Sequence, residues 1–127
     1  MTEQLIHGEL SYKIIGILYK IYNVIGPGLQ EKYYQRAIQK VLEKEKILYL
    51  EQVKVNLDID GVKIGRYFID FVIDHKIVLE IKVKNFFSIK DIKQVLGYLK
   101  KSRIEVGLLV AFSSDGIKIK RILRGSQ

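Results

Sequence analysis

The residues best suited to chemistry are charged side chains within segments that are otherwise apolar. Asp70 lies in Phe68-Ile69-Asp70-Phe71-Val72-Ile73, a run that is apolar on both faces, as is typical of an interior strand. Strand alternation would place Asp70 on one face with Phe68 and Val72. Because an unpaired buried charge is costly, such a carboxylate is expected to bind a cation. The alternative is a buried Asp that caps a loop or pairs with an Arg such as Arg66.

Glu80 and Lys82 form an acid-x-Lys triplet in the apolar segment 77–83. The same triplet begins at Asp74, in a predicted turn, and at Asp91, on a predicted helix, where side chains two residues apart diverge. On a strand, alternate residues share a face, so Glu80 and Lys82 are expected to be neighbours. A salt bridge on a solvated face is the alternative interpretation.

Three further polar residues belong to predicted helices. Glu31 lies one turn into the second helix, at the edge of its apolar stripe, although an acid there also suits the helix dipole. Gln94 and Tyr98 are four residues apart on the third helix and therefore point the same way. Two solvated residues on an outer helix face would give the same pattern.

Composition excludes several kinds of site and favours a polyanionic partner. The 127 residues include no Cys and two His, which excludes disulfides, thiol catalysis and Cys- or His-cluster metal sites. The net charge is +8, and residues 82–127 carry all of it. Such asymmetry favours nucleic acid as partner, with a solubility surface as the alternative. Without a long apolar run or signal-like N-terminus, we expect a cytoplasmic protein.

Hydrophobic periodicity predicts a single domain, residues 1–127. The first helix carries an apolar stripe and ends at Gly26-Pro27-Gly28. The second helix is predicted over residues 29–46. The third is predicted over residues 88–101, with Ser88 as its N-cap. Strands are predicted over 48–59, 62–73, 77–83 and 105–112, with a short strand or ragged tail over 116–123. The order α-α-β-β-β-α-β(-β) implies an α/β or α+β fold, because the last helix must cross over within a mixed sheet flanked by helices.

The segment Gly28-Leu29-Gln30-Glu31-Lys32-Tyr33-Tyr34 carries the pattern GxxExxY. In this respect the chain resembles the GxxExxY family of small bacterial and archaeal proteins, which is similar to the PD-(D/E)xK nuclease superfamily. The resemblance covers residues from about 14 to 112. It implies a restriction-endonuclease-like core of order α-β-β-β-α-β, here with an extra N-terminal helix.

The resemblance also implies roles for individual residues. Asp70 takes the place of the motif's Asp, Glu80 and Lys82 form its E-x-K, and Ile69 stands where Pro is usual. The catalytic residues implied are Lys82, Glu31, Gln94 and Tyr98, the last two as the Q-x-x-x-Y of the third helix. Segment 83–87 is short, which leaves little room for an insertion that reads the substrate.

The residue types suit metal-assisted hydrolysis. Asp70 and Glu80, with the main-chain carbonyl of Ile81, offer the oxygen ligands that Mg²⁺ or Mn²⁺ prefers. A cation so held acidifies a bound water for attack on a phosphodiester. Lys82 would orient that water, lower its pKa or neutralise developing charge. Glu31 would complete the metal shell directly or through a water, or would help to hold a second ion. Gln94 and Tyr98 would contact the phosphate backbone or position the ligands.

We therefore predict a metal-dependent endonuclease, with DNA favoured over RNA. The lysines predicted to bind nucleic acid are Lys84, Lys90, Lys93 and Lys101. One alternative is a catalytically silent nucleic-acid-binding module on the same fold. Another is an oligomeric interaction protein whose subunit interface is formed by Tyr12, Tyr19 and Tyr22. A homodimer that presents two active sites is also compatible with the sequence.

Overall fold

The computed structural model describes residues 6–125. Its elements are α1 (Gly8–Ile25), α2 (Glu31–Lys44), β1 (Tyr49–Ile59), β2 (Val62–Ile73), β3 (Ile77–Lys82), α3 (Ile89–Ser102), β4 (Val106–Ser113) and β5 (Gly116–Leu123). This order confirms the predicted one, and the tail forms a full strand. No helix within residues 6–125 is both long and apolar enough to cross a membrane.

The five strands form one mixed sheet in the order β1-β2-β3-β4-β5. All neighbours are antiparallel except β3 and β4, which α3 joins as the predicted crossover. α1 and α2 cover one face and enclose what we call the first core, around Leu18, Ile38 and Leu79. α3 covers the other face and encloses the second core, around Val95, Leu99 and Val78. The fold is therefore an α/β sheet with helices on both faces.

The paired strands β1 and β2 change faces midway along their length. Tyr49 packs against the first core but Val53 against the second, although alternate residues of a strand normally share a face. Between them Gln52 adopts a left-handed conformation, with φ of 50°. The register of the flanking pairs places Gln52 opposite Asp70. The hairpin therefore crosses from one core to the other at the level of Gln52 and Asp70.

The same crossing corrects the expected environment of Asp70. Ile69 and Val72 both pack in the second core although they are three residues apart, so strict alternation fails around Asp70. Phe68 is exposed and has Arg66 over its ring, 5.9 Å from the centroid. The expectation that Asp70 shares one face with Phe68 and Val72 is therefore wrong.

The sheet opens between β2 and β3 next to this crossing. Their pairing ends at Phe71 and Leu79, whereas β3 continues beside β4 as far as Lys82. Asp70 and Glu80 are the first residues beyond the last β2–β3 pair. We call the opening between Asp70 on β2 and residues 80–82 on β3 the wedge.

α3 lies close to the sheet because β4 contains Gly107. A Cβ added at Gly107 would lie 2.5 Å from Cγ1 of Val95, well inside the distance at which side chains pack. Val95 is fully buried and β-branched, so it has little freedom to move aside. The absent side chain therefore sets the distance at which α3 crosses β4.

Candidate functional site

Two buried carboxylates meet in the wedge. Asp70 is 8% exposed and Glu80 is 4% exposed. Oδ2 of Asp70 accepts the main-chain N–H of Ile81 at 2.8 Å, and Oδ1 accepts Nε2 of Gln52 at 3.3 Å. The main-chain N–H of Asp70 donates to Oε1 of Glu80 at 3.0 Å. The two carboxylates thus accept hydrogen bonds from main-chain N–H groups at the point where β2 and β3 no longer pair.

Lys82 lies at the solvent side of the wedge. Its Nζ is 3.8 Å from Oε2 of Glu80, as the shared strand face predicts. The Lys82 side chain is 26% exposed, whereas that of Glu80 is almost fully buried. The alternative of a salt bridge on a solvated face therefore does not describe this pair.

The wedge disfavours two negative charges at once. Burial, and then the hydrogen bond and charge of Asp70, raise the pKa of Glu80 to about 8, while Lys82 opposes the shift. Glu31 is exposed at the start of α2, yet partial burial and then the charge of Asp70 raise its pKa as well. Asp70 thus acts electrostatically on both other carboxylates, and bound positive charge would relieve this repulsion.

The donor set fits a hard divalent cation. Asp70 and Glu80 supply carboxylate oxygens. Ile81, which lies between Glu80 and Lys82 in the sequence, would supply its main-chain carbonyl oxygen. Within residues 6–125, no three His, Cys, Asp or Glu side chains are already grouped as a metal site. Two protein carboxylates are enough for Mg²⁺, because this ion keeps several waters and takes few protein oxygens.

Asp91 belongs to this site although its role was not predicted. The side chain is 5% exposed at the first turn of α3. Its Oδ2 accepts the main-chain N–H of Ser88 at 2.9 Å, while the Asp91 N–H donates to Oγ of Ser88 at 3.1 Å, forming a capping box. Oδ2 also pairs closely with Lys84, and Oδ1 lies 3.8 Å from Nζ of Lys82. The Ser88-x-x-Asp91 spacing was the sequence signal available for it.

Gln94 and Tyr98 are half-buried on α3 and are associated with Tyr67 of β2. The Tyr67 hydroxyl donates to the main-chain oxygen of Gln94 at 3.1 Å. Burial raises the pKa of Tyr67, and the charges of Glu80 and then Tyr98 raise it further. Tyr67, which sequence reasoning missed, therefore bonds to the main chain of Gln94 and lies within electrostatic reach of Glu80.

A groove of about 620 Å³ runs between α3 and the β1–β2 hairpin. Its lining includes three cations, Arg66, Lys90 and Lys93, together with Tyr67 and Gln94. The other two lysines predicted to bind nucleic acid have partners within the chain. Lys84 pairs with Asp91, and Lys101 donates to the main-chain oxygen of Asn56.

The tyrosines of α1 do not form one exposed surface. Tyr12 and Tyr19 are exposed, but the Tyr22 hydroxyl donates to the main-chain oxygen of Ser113 at 2.6 Å. The Tyr22 ring also stacks on Phe112, with centroids 6.3 Å apart. Tyr22 therefore makes contacts within its own chain, which argues against the prediction that all three tyrosines form a subunit interface.

The mixed sheet, its crossover helix and the wedge define a restriction-endonuclease-like core. Residues 8–122 match the family model of the PD-(D/E)XK nuclease superfamily, and the chain belongs to that superfamily. Divalent metals are generally used by its nucleases. No curated protein matches the sequence significantly.

Two solved structures share the fold. The crystal structure of SSO0001 superposes with a TM-score of 0.57 and 20% identity, covering 95% of this chain and 60% of that one. An alkaline exonuclease (LHK-Exo) from Laribacter hongkongensis gives a TM-score of 0.52 and 13% identity, covering 98% of this chain and 72% of that one. This chain thus spans 60% of the length of SSO0001.

Proposed function

We propose that the chain is a divalent-metal-dependent endonuclease that hydrolyses phosphodiester bonds of nucleic acid. The observation that carries the proposal is the wedge, where Asp70, Glu80 and Lys82 converge although two of them are buried carboxylates. Membership of a nuclease superfamily supports the same activity. A purely structural site would gain nothing from two adjacent buried carboxyl groups, because ionising both of them costs stability.

Asp70 and Glu80 would hold Mg²⁺ or Mn²⁺ together with the carbonyl of Ile81. When bound, the cation would supply a water acidic enough to attack phosphorus and a Lewis acid for the phosphate oxygens. Lys82 places its ammonium at the solvent side of the wedge, where it would stabilise charge developing on the phosphate. Glu31 faces the same region from α2 and would hold a water of the metal shell.

The GxxExxY pattern has a physical basis in this fold, which supports assignment to that family. Gly28 has φ of 90°, a conformation that favours glycine. The fully buried Tyr34 donates its hydroxyl proton to the main-chain oxygen of Gly26 at 2.6 Å and stacks on Phe112, with centroids 4.1 Å apart. The turn and the first turn of α2 are thereby fixed to the first core. Glu31 lies between these two anchors, and the charge of Asp70 contributes to its raised pKa.

We propose DNA as the substrate, with its backbone in the groove beside α3. Lys90, Lys93 and Arg66 supply positive charge along this groove, and Gln94 and Tyr67 lie on its wall. Tyr98 and Lys101 line a smaller neighbouring groove of about 330 Å³. Homodimerisation stays a prediction.

The experiment is cleavage of supercoiled plasmid, branched DNA, single-stranded DNA and RNA by the purified chain with EDTA, Mg²⁺ or Mn²⁺. Asp70→Ala and Lys82→Ala should each lower cleavage at least ~100-fold while the far-UV circular dichroism spectrum is retained. Lys76→Ala is the matched control, because Lys76 is exposed at the opposite end of β3. Cleavage by both site variants at the wild-type rate would overturn the assignment. Metal-dependent binding without cleavage would favour the silent module.

A further inference from the structure

The ammonium of Lys82 lies between two carboxylates at equal distances. Its Nζ is 3.8 Å from Oε2 of Glu80 on its own strand and 3.8 Å from Oδ1 of Asp91 on α3. Both carboxylates are nearly fully buried. Lys82 is therefore shared between a proposed metal ligand and a residue that lies outside the proposed metal shell.

The two oxygens of Asp91 have different partners. Oδ2 accepts the Ser88 N–H and pairs with Lys84, which fixes the carboxylate at the start of α3. Oδ1 faces Lys82. One oxygen thus serves the helix cap, while the other is presented toward the wedge.

This division matters because an ammonium and a divalent cation compete for the same carboxylate. Without a second anion, Lys82 would be drawn onto Glu80 and would oppose cation binding there. The partly exposed ammonium of Lys82 would also lose its partner on β3 when Glu80 binds the metal. Asp91 supplies another partner from the opposite side.

We propose that Asp91 is a positioning residue that holds the ammonium of Lys82 away from Glu80, so that Glu80 can bind the divalent cation. The inference rests on the proposed function, because it concerns the same metal site. Asp91 touches neither substrate nor metal in this role and acts through Lys82.

Helix capping alone could account for the burial of Asp91, and two substitutions separate the roles. Asp91→Asn retains a side-chain oxygen for the Ser88 N–H but removes the charge that attracts Lys82. Ser88→Ala removes the hydroxyl that caps the Asp91 N–H but leaves the Asp91 charge. A capping role predicts that both variants lose stability alone, whereas a positioning role predicts a specific effect of the Asn variant on the metal.

The test is titration of Mn²⁺ alone into the full chain by calorimetry, together with steady-state cleavage kinetics. Asp91→Asn should weaken Mn²⁺ binding about 3- to 10-fold and lower kcat about 10-fold, with KM within about 2-fold of wild type. In a Lys82→Met background, Asp91→Asn should change Mn²⁺ affinity by less than about 2-fold, because no ammonium is left to compete. Ser88→Ala should lower Tm by about 3–6 °C and leave Mn²⁺ affinity and kcat unchanged.

Each contrary outcome is decisive. If Asp91→Asn keeps wild-type Mn²⁺ affinity and kcat, Asp91 is only a cap and the proposal fails. If Asp91→Asn weakens Mn²⁺ binding equally in the Lys82→Met background, Asp91 acts on the metal without Lys82, and the proposal fails as well. A wild-type chain that binds no Mn²⁺ overturns both the metal site and this role. A chain that binds Mn²⁺ and shows the expected dependence on Lys82 but cleaves none of the nucleic acids defeats the nuclease proposal alone.

Discussion

The main-chain N–H of Asp70 donates a 3.0 Å hydrogen bond to the carboxylate of Glu80, a side chain that is almost fully buried. The Asp70 carboxylate in turn accepts the N–H of Ile81, the residue next to Glu80. Two acidic residues thus take the place of a strand pair at the wedge. Because burial and the nearby Asp70 exist only in the folded chain, folding raises the pKa of Glu80, and stability should depend on pH.

Stability without metal should fall as the pH rises from about 5 to 8. The pKa of Glu80 is raised from 4.5 to about 8 in the folded chain, so its contribution to stability is complete below 4.5 and is lost as the pH approaches 8. The loss should be on the order of 3 kcal/mol, measured by urea denaturation in EDTA. Glu80→Gln should flatten the dependence, and Mg²⁺ should stabilise the wild type more at pH 8 than at pH 5. A slope equal in wild type and Glu80→Gln would contradict this account.

Gln52 should tolerate glycine better than a β-branched residue. Its φ of 50° costs a β-branched side chain about 1–2 kcal/mol, and any substitution loses the bond to Asp70. Gln52→Gly should therefore be more stable than Gln52→Thr by about 1–2 kcal/mol in urea denaturation. Lys54, exposed on ordinary β1 backbone, is the control, and there Thr should be the more stable substitution. The same order at both positions would disprove the strained conformation.

Gly107→Ala should destabilise the chain by about 1–3 kcal/mol, because its Cβ would lie 2.5 Å from the buried Val95. Adding Val95→Ala should recover about 1 kcal/mol or more relative to additive single effects. Gly16→Ala provides the contrast, since a Cβ there meets no atom within 4 Å inside helix α1. That substitution should stabilise by about 0.5–1 kcal/mol. Additive losses at Gly107 and Val95 would contradict the proposed close packing.

Binding of nucleic acid should depend on salt through the groove lysines. Lys90→Ala and Lys93→Ala should each reduce the slope of log affinity against log salt by about 0.7–0.9, as fluorescence anisotropy would measure. Lys84→Ala should reduce it less, because Lys84 is already paired with Asp91. Lys20→Ala, exposed on α1, should leave the slope unchanged. Equal effects at Lys20 and Lys93 would show that binding does not follow the groove.

Periodicity predicted the elements well because each follows a local pattern. The apolar stripes of α1 and α3 and the alternation along β1 specify helix or strand without reference to the rest of the chain. The observed ends of α2, at Glu31 and Lys44, are two residues inside the predicted range of 29–46. Residues 29–30 and 45–46 include no Pro or Gly that would mark a helix end, so the sequence pattern does not locate the ends within two residues.

The wedge was only partly predictable because it depends on tertiary geometry. A strand pattern predicts that Glu80 and Lys82 are neighbours, but it cannot reveal that β2 and β3 stop pairing at Phe71 and Leu79. The alternating sequence around Gln52 gives no indication of its left-handed conformation. The proximity of Asp91 to Lys82 arises from the approach of α3 to the end of β3, which no spacing along the chain encodes.

The crossing of the β1–β2 hairpin between the two cores has a consequence for folding. One half of the hairpin packs with α1 and α2 and the other with α3, so neither hydrophobic layer is complete until the hairpin is in place. Asp70 lies where the two halves meet, and Glu80 depends on a strand that pairs with the later β4. The wedge therefore depends on both cores, because the hairpin that carries Asp70 packs in each of them.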